Sequence, residues 1–101
     1  MGWRVGSFYI APGETVRIDF AWRRPGDEGA QWVMAHPIPG EPSSAIATER
    51  VAKYVSCSAA YVNSEGDSGC ADIDSAFWRY YVDLHNDGTE GCRFQLEGGG
   101  V

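Results

Sequence analysis

The residues of this chain with chemistry to offer are few, and most sit in one stretch. Asn63, Glu65, Asp67, Asp72 and Asp74 bring amide and carboxylate oxygens into a single loop region. Calcium takes about six to eight such oxygens from a flexible loop. The spacing is not that of an EF-hand, because no glycine stands at the sixth position after a starting aspartate and no closing glutamate follows. A solvated acidic loop is therefore expected, with Asp67, Asp72 and Asp74 as weak metal candidates. Calcium is the ion they would suit, and no cofactor is otherwise expected. His36 and His85 are the only histidines, and neither has a cysteine or carboxylate at ligand spacing. Both read as structural, His85 as a turn residue beside Asn86 and Asp87.

Gly66-Asp67-Ser68-Gly69 has the form of the tetrapeptide around a serine-protease nucleophile of the chymotrypsin type. The context rejects it. Those enzymes need two β-barrels, and 101 residues are too few for them. Cys70 follows where such enzymes continue Gly-Pro, so the motif reads as an acidic Gly/Ser turn between strands. A pair of carboxylates near only in space would escape detection in the sequence. A domain this small offers little room for a water-excluding cleft, and the chain is not expected to be an enzyme.

The more promising chemistry lies on a strand face. Phe77 to His85 alternates, with Trp78, Tyr80, Val82 and Leu84 on one side and Phe77, Arg79, Tyr81 and Asp83 on the other. Thr15 to Trp22 alternates as strictly: Val16, Ile18, Phe20 and Trp22 turn inward, Arg17 and Asp19 outward. The outward residues Phe77, Arg79, Tyr81, Asp83, Arg17 and Asp19 form the candidate ligand-binding set. Aromatic rings stack on the apolar face of a sugar while arginine and aspartate hydrogen-bond its hydroxyls, and the same residue types serve protein interfaces. The competing expectation is that a second layer covers this face and makes Phe77 and Tyr81 core.

The elements that must position these residues read as strands throughout. Trp3 to Ile10 is a strand, and Ala11-Pro12-Gly13-Glu14 a turn. Arg23 to Gly29 reads as a hairpin loop. Gln31 to His36 follows as a strand apolar on both sides, Trp32 and Met34 opposing Val33 and Ala35, which suggests a central strand covered on both faces. Residues 37–42 are a proline-set extended connector. Residues 43–62 are ambiguous: a capped helix would place Ala47, Val51, Tyr54 and Val55 in one stripe, but strand neighbours favour a strand over Ala45–Val55 and a short one over Ser58–Val62. Asn86-Asp87-Gly88 before Cys92-Arg93-Phe94-Gln95-Leu96 suggests that the last two strands form a hairpin. Residues 98–101 read as a flexible glycine-rich tail.

Composition bounds the rest. A hydrophobic share of 44% with 22% charged residues suits one folded domain spanning 1–101. The formal net charge of −6 repels phosphate backbones and anionic lipid surfaces, so nucleic acid is not an expected partner. No apolar run approaches a membrane span and no signal-peptide pattern opens the chain, so membrane insertion is not expected and either a secreted or a cytoplasmic soluble domain would fit. Cys57 and Cys70 flank the acidic loop and would bridge it if their Cα atoms lie within about 7 Å. Three free thiols are nonetheless the default expectation and the bridge the alternative, with Cys92 buried beside Phe94 and Leu96 in either case.

These elements predict a single antiparallel β-sandwich, jelly-roll or immunoglobulin-like, of about six to eight strands. The function they suggest is a non-catalytic binding module, with carbohydrate first and a protein surface next as ligand. A structural or assembly subunit that forms a homo-oligomer through the same face is the alternative, and a small hydrolase the third.

Overall fold

The computed structural model describes residues 2–22, 27–40, 45–71 and 76–101. They form eight β-strands: β1 (Gly2–Ile10), β2 (Thr15–Phe20), β3 (Gln31–Pro37), β4 (Ile46–Cys57), β5 (Ala60–Val62), β6 (Ser68–Cys70), β7 (Ala76–Asn86) and β8 (Cys92–Gly100). The protein is all-β, with antiparallel sheets ordered β1-β8-β3, β2-β7-β4 and β5-β6. The two larger sheets face each other across a core of Ile10, Val33, Val82, Leu84, Phe94 and Leu96. Successive strands alternate between these sheets up to β4 and again at β7 and β8, and β1 pairs with β8 while β2 pairs with β7. That nested order is the jelly-roll form of the sandwich.

Period-two alternation explains which residues enter the core. Val16, Ile18 and Phe20 on β2 and Tyr80, Val82 and Leu84 on β7 point toward the opposite sheet, as do Phe94 and Leu96 on β8. In β1 a register shift between Val5 and Phe8 changes the parity, so that Trp3 before it and Phe8 and Ile10 after it all reach the core side. An aromatic group closes one side of the sandwich. Phe20 stacks on Tyr80 at 5.5 Å between centroids, and Trp3 and Trp22 pack against Phe20 at 5.3 and 5.9 Å.

Five expectations change. The last two strands are not a hairpin: β7 lies in one sheet and β8 in the other, and residues 87–91 carry the chain across. The reason is Asn86, which is fully buried. Its Nδ2 donates to Glu90 O (2.9 Å) and Ile10 O (3.4 Å), and its Oδ1 accepts from Gly88 N (2.8 Å). Its backbone binds the β1–β2 turn, with Gly13 N to Asn86 O at 2.9 Å and Asn86 N to Glu14 O at 3.0 Å. One asparagine thus ties together both connections that turn the corner between sheets.

β2 and β3 likewise occupy different sheets, so the segment between them is a crossing and not a hairpin loop; residues 23–26 lie outside the described residues. β3 is not a central strand but an edge, paired only with β8. Its outer face leaves Trp32 and Met34 41% and 50% exposed. Residues 98–100 are not a tail: Gly98 and Gly99 pair with β1 on one side and β3 on the other, Gly100 pairs with β3, and Val101 N donates to Ala30 O. Glycines that read as flexible in isolation are held by ladders on both edges.

The ambiguous segment is strand, as favoured: β4 runs from Ile46 to Cys57 with a bulge between Thr48 and Arg50, and β5 follows at Ala60–Val62. The default of three thiols is overturned: Cys57 and Cys70 form a disulfide with their Cα atoms 5.3 Å apart, close enough to bridge, and Cys92 is a buried thiol outside it.

Candidate functional site

The outer face of the β2-β7-β4 sheet carries all six residues singled out in the sequence. Register places Arg17 opposite Asp83 and Asp19 opposite Tyr81, while β4 adds Arg50 opposite Asp83 and Tyr54 opposite Arg79. No layer of the described chain covers this face, yet its groups are engaged with one another. Arg17 grips Asp83 through two hydrogen bonds of 2.7 and 2.9 Å, and its guanidinium lies 4.1 Å from the Tyr81 ring centroid. Asp19 lies 3.9 Å from Arg79. The Arg17 hydrogen bond holds the Asp83 carboxyl below its ordinary value, and Asp83 raises Arg17 in return. Tyr81, capped by a guanidinium, presents little free ring to a sugar. Tyr54, 6.2 Å from it and 40% exposed, is more open.

This sheet extends past its partner. Val55 and Trp78 share the parity of the core but sit where no opposing strand remains, which leaves Val55 53% exposed. Lys53 turns across Trp78, its Nζ 4.7 Å from the ring, and binds Asp27 at 2.5 Å. Asp27 also accepts from Gly29 N, and the buried Tyr80 hydroxyl donates to Gly29 O at 2.8 Å and lies 3.2 Å from Asp27 Oδ1. Residues 27–29 are thereby pinned to the sheet. Burial, with Asp27 adding to it, pushes the Tyr80 phenol up. Lys53 first, then Gly29 N–H, draws the Asp27 carboxyl down.

A depressed carboxylate contributes stability that is present above its unfolded value and lost as pH falls through its folded one. Both Asp27 and Asp83 are depressed, so resistance to urea is expected to fall on acidification below about pH 4. The Asp27→Asn variant should start weaker at neutral pH and lose less over that range. Urea midpoints from pH 7 to pH 2 check this; parallel curves would remove Asp27 from the account.

The acidic stretch is the β5–β6 hairpin and its turn. Asn63 Oδ1 accepts from Glu65 N and Asp67 N at 3.0 and 2.9 Å, so the Asp67 backbone serves the turn. Gly69 of the protease-like tetrapeptide lies under the ring of its cross-strand partner Tyr61, where a Cβ would come within 3.1 Å of the hydroxyl. Ser68 and Gly69 are therefore strand residues of a hairpin. Asp72 and Asp74 lie outside the described residues. Among the described residues, no group of three histidines, cysteines, aspartates or glutamates is placed to hold a metal ion. His36 Nδ1 lies 3.1 Å from Glu97 Oε2, and His85 Nδ1 lies 2.7 Å from Thr15 Oγ1.

A second face was missed in the sequence. On the outside of β1-β8-β3, the row Gly2, Gly99 and Trp32 crosses the whole sheet with Trp32 as its only side chain. The neighbouring row is Arg4, Glu97 and Met34. Glu97 Oε2 receives Arg4 at 3.1 Å and faces His36, while Oε1 has no hydrogen-bond partner among the described residues. A shallow cavity of about 340 Å³ lies here, lined by Gly2, Trp3, Arg4, Trp32, Glu97 and Gly98. The available signal was a glycine run in a strand, which marks close approach to backbone. Only the register sets those glycines beside Trp32.

Comparisons with protein-family models, with curated proteins and with solved structures found no match. Among the described residues, no helix is long and apolar enough to cross a membrane.

Proposed function

We propose that this protein is a non-catalytic carbohydrate-binding module whose ligand rests on the outer face of β1-β8-β3. The observation that carries it is the Gly2–Gly99–Trp32 row beside the Arg4–Glu97 pair. A pyranose ring lies against an indole through its C–H face, and the glycines leave room for it to approach the sheet. Arg4 and Glu97 offer charge-assisted donors and an acceptor to neighbouring hydroxyls, and their charges cancel, which favours a neutral sugar. Of the surfaces described, this one combines an exposed tryptophan, a cavity and a carboxylate oxygen with no partner among the described residues. The Phe77–Tyr81 face first expected to bind sugar is less suited, since its charges already satisfy each other.

A glycan array followed by calorimetry tests the proposal. Wild type should bind neutral oligosaccharides. Trp32→Ala should weaken binding by about tenfold or more, on the scale of an aromatic contact, whereas Tyr81→Ala should leave it unchanged. No signal above background, or a loss confined to Tyr81→Ala, would overturn this assignment. An assembly role is the second reading, favoured by the apolar side chains left exposed where β4 and β7 outrun the opposite sheet.

A further inference from the structure

The cavity beside Trp32 occupies one end of a longer face. On the outside of β1-β8-β3, the parity of Gly99 continues along β8 through Glu97, Gln95 and Arg93. Gly99 to Arg93 is about 20 Å of strand. Trp32 pairs with Gly99 from the β3 edge and Tyr9 pairs with Arg93 from the β1 edge. Two strand spacings add about 10 Å across the sheet. The two aromatic residues thus stand at opposite ends and opposite edges of one face, 41% and 57% exposed. No single pyranose reaches from one to the other, whereas a chain of several does.

Tyr9 is laid along this face by a glycine. Its side chain lies across Gly91, where a Cβ would overlap Oη and come within 2.6 Å of Cζ and 3.0 Å of Cε2. Gly91 has no left-handed φ, so glycine serves there by leaving space and not by its backbone freedom. Met34 stands on the β3 side of the diagonal between the two rings; the residues along it are polar. Glu97 and His36 meet at 3.1 Å, and Gln95, paired with His36, offers an amide donor and an acceptor. On the β1 side, the bulge residues Gly6 and Ser7 stand against Gln95. Rings separated by donors and acceptors suit a ligand whose C–H faces alternate with hydroxyls. An extended peptide suits the face less, because β8 already gives its backbone to β1 and β3.

We infer that this face takes a linear oligosaccharide, one unit on Trp32 and a later unit on Tyr9, with the chain crossing β8 over Glu97 and Gln95. The inference rests on the carbohydrate reading above and gives it a chain length and a path. The Trp32 end, with its cavity, holds even a short fragment. The Tyr9 end is reached only by longer chains and so selects for them. Affinity therefore rises with length until Tyr9 is covered, and then levels off.

Neutral linear glucans, mannans, xylans and galactans, each as a length series from disaccharide to hexasaccharide, serve as probes in binding calorimetry. In a series that binds, the hexasaccharide should bind about tenfold or more tighter than the disaccharide. Tyr9→Ala should remove about fivefold or more of the hexasaccharide's affinity, on the scale of one aromatic contact, and leave the disaccharide's as it was. Gly91→Ala keeps the phenol but displaces the ring, and should do the same. Trp32→Ala should weaken both lengths. Unchanged disaccharide binding shows that the Tyr9 and Gly91 variants are folded. Equal affinity at every length, with Trp32 still required, overturns the inference and leaves the carbohydrate reading standing. So does a Tyr9→Ala variant that unfolds at lower urea but binds the hexasaccharide as wild type does, since Tyr9 then serves only to cover Gly91. Binding to none of the series overturns both.

Discussion

Replacing Asn86 by alanine is expected to cost about 3–4 kcal/mol of folding stability, the largest loss for any polar residue among those described. The side chain is fully buried and hydrogen-bonds Ile10 O, Glu90 O and Gly88 N. Each such bond contributes about 1 kcal/mol net, and each buried partner left without one costs more. Water cannot easily take its place, since Ile10 beside it is also fully buried. Asn86→Asp should fare no better: it keeps the acceptor for Gly88 N, loses both donors and buries a charge. Urea unfolding monitored by tryptophan fluorescence reads the midpoint shift. A loss under about 1 kcal/mol for Asn86→Ala would show that the two corner connections hold without the side chain.

The second large effect is expected at Gly98. An alanine Cβ there would lie 2.4 Å from Trp3 Cζ2 and 2.6 Å from Trp32 O. A ring can turn aside, but the carbonyl belongs to the β3 ladder and cannot move without breaking the sheet. The cost of Gly98→Ala is expected at about 3 kcal/mol, at the upper end for overpacking. The double variant Trp3→Ala/Gly98→Ala separates the contributions: removing the indole relieves the first clash and leaves the second. The two changes together should therefore cost less than the sum of the singles, while remaining more costly than Trp3→Ala alone. Strict additivity would show that Trp3 and Gly98 do not share space. The same crowding explains why β8 carries glycine at position 98. Within that central strand the crowding is at Gly98, which lies between Trp3 and the β3 backbone; at Gly100 the nearest atom to an added Cβ, Gln31 Nε2, is 4.0 Å away.

Both variants concern what holds the sheets together, which bears on how much of this protein was legible beforehand. The all-β class, the strict alternation of β2 and β7 and the strand at β4 followed from local pattern. So did the grouping of Arg17 with Asp19 and of Phe77, Arg79 and Tyr81 with Asp83, because parity is a property of each strand by itself; that the two groups share one face came only from the pairing of β2 with β7. The chemistry of that face did not follow. Parity says that Arg17 and Asp83 point the same way; only pairing in register brings them to 2.7 Å and sets the guanidinium over Tyr81.

Strand existence, strand faces and the identity of most core residues were thus determined by the sequence alone, since they rest on a period of two and on side-chain hydrophobicity. The tertiary structure alone decided which sheet each strand joins. A hairpin and a crossing between sheets present the same alternation, and both turn Val82 and Phe94 inward. What separates them is where the backbone hydrogen bonds of each strand find partners, and those lie far away along the chain: β8 with β1, β7 with β2. The same long-range pairing turned a glycine tail into a central strand, left Trp32 partly exposed on an edge strand, and left the far end of the β4–β7 pair without a facing strand among the described residues.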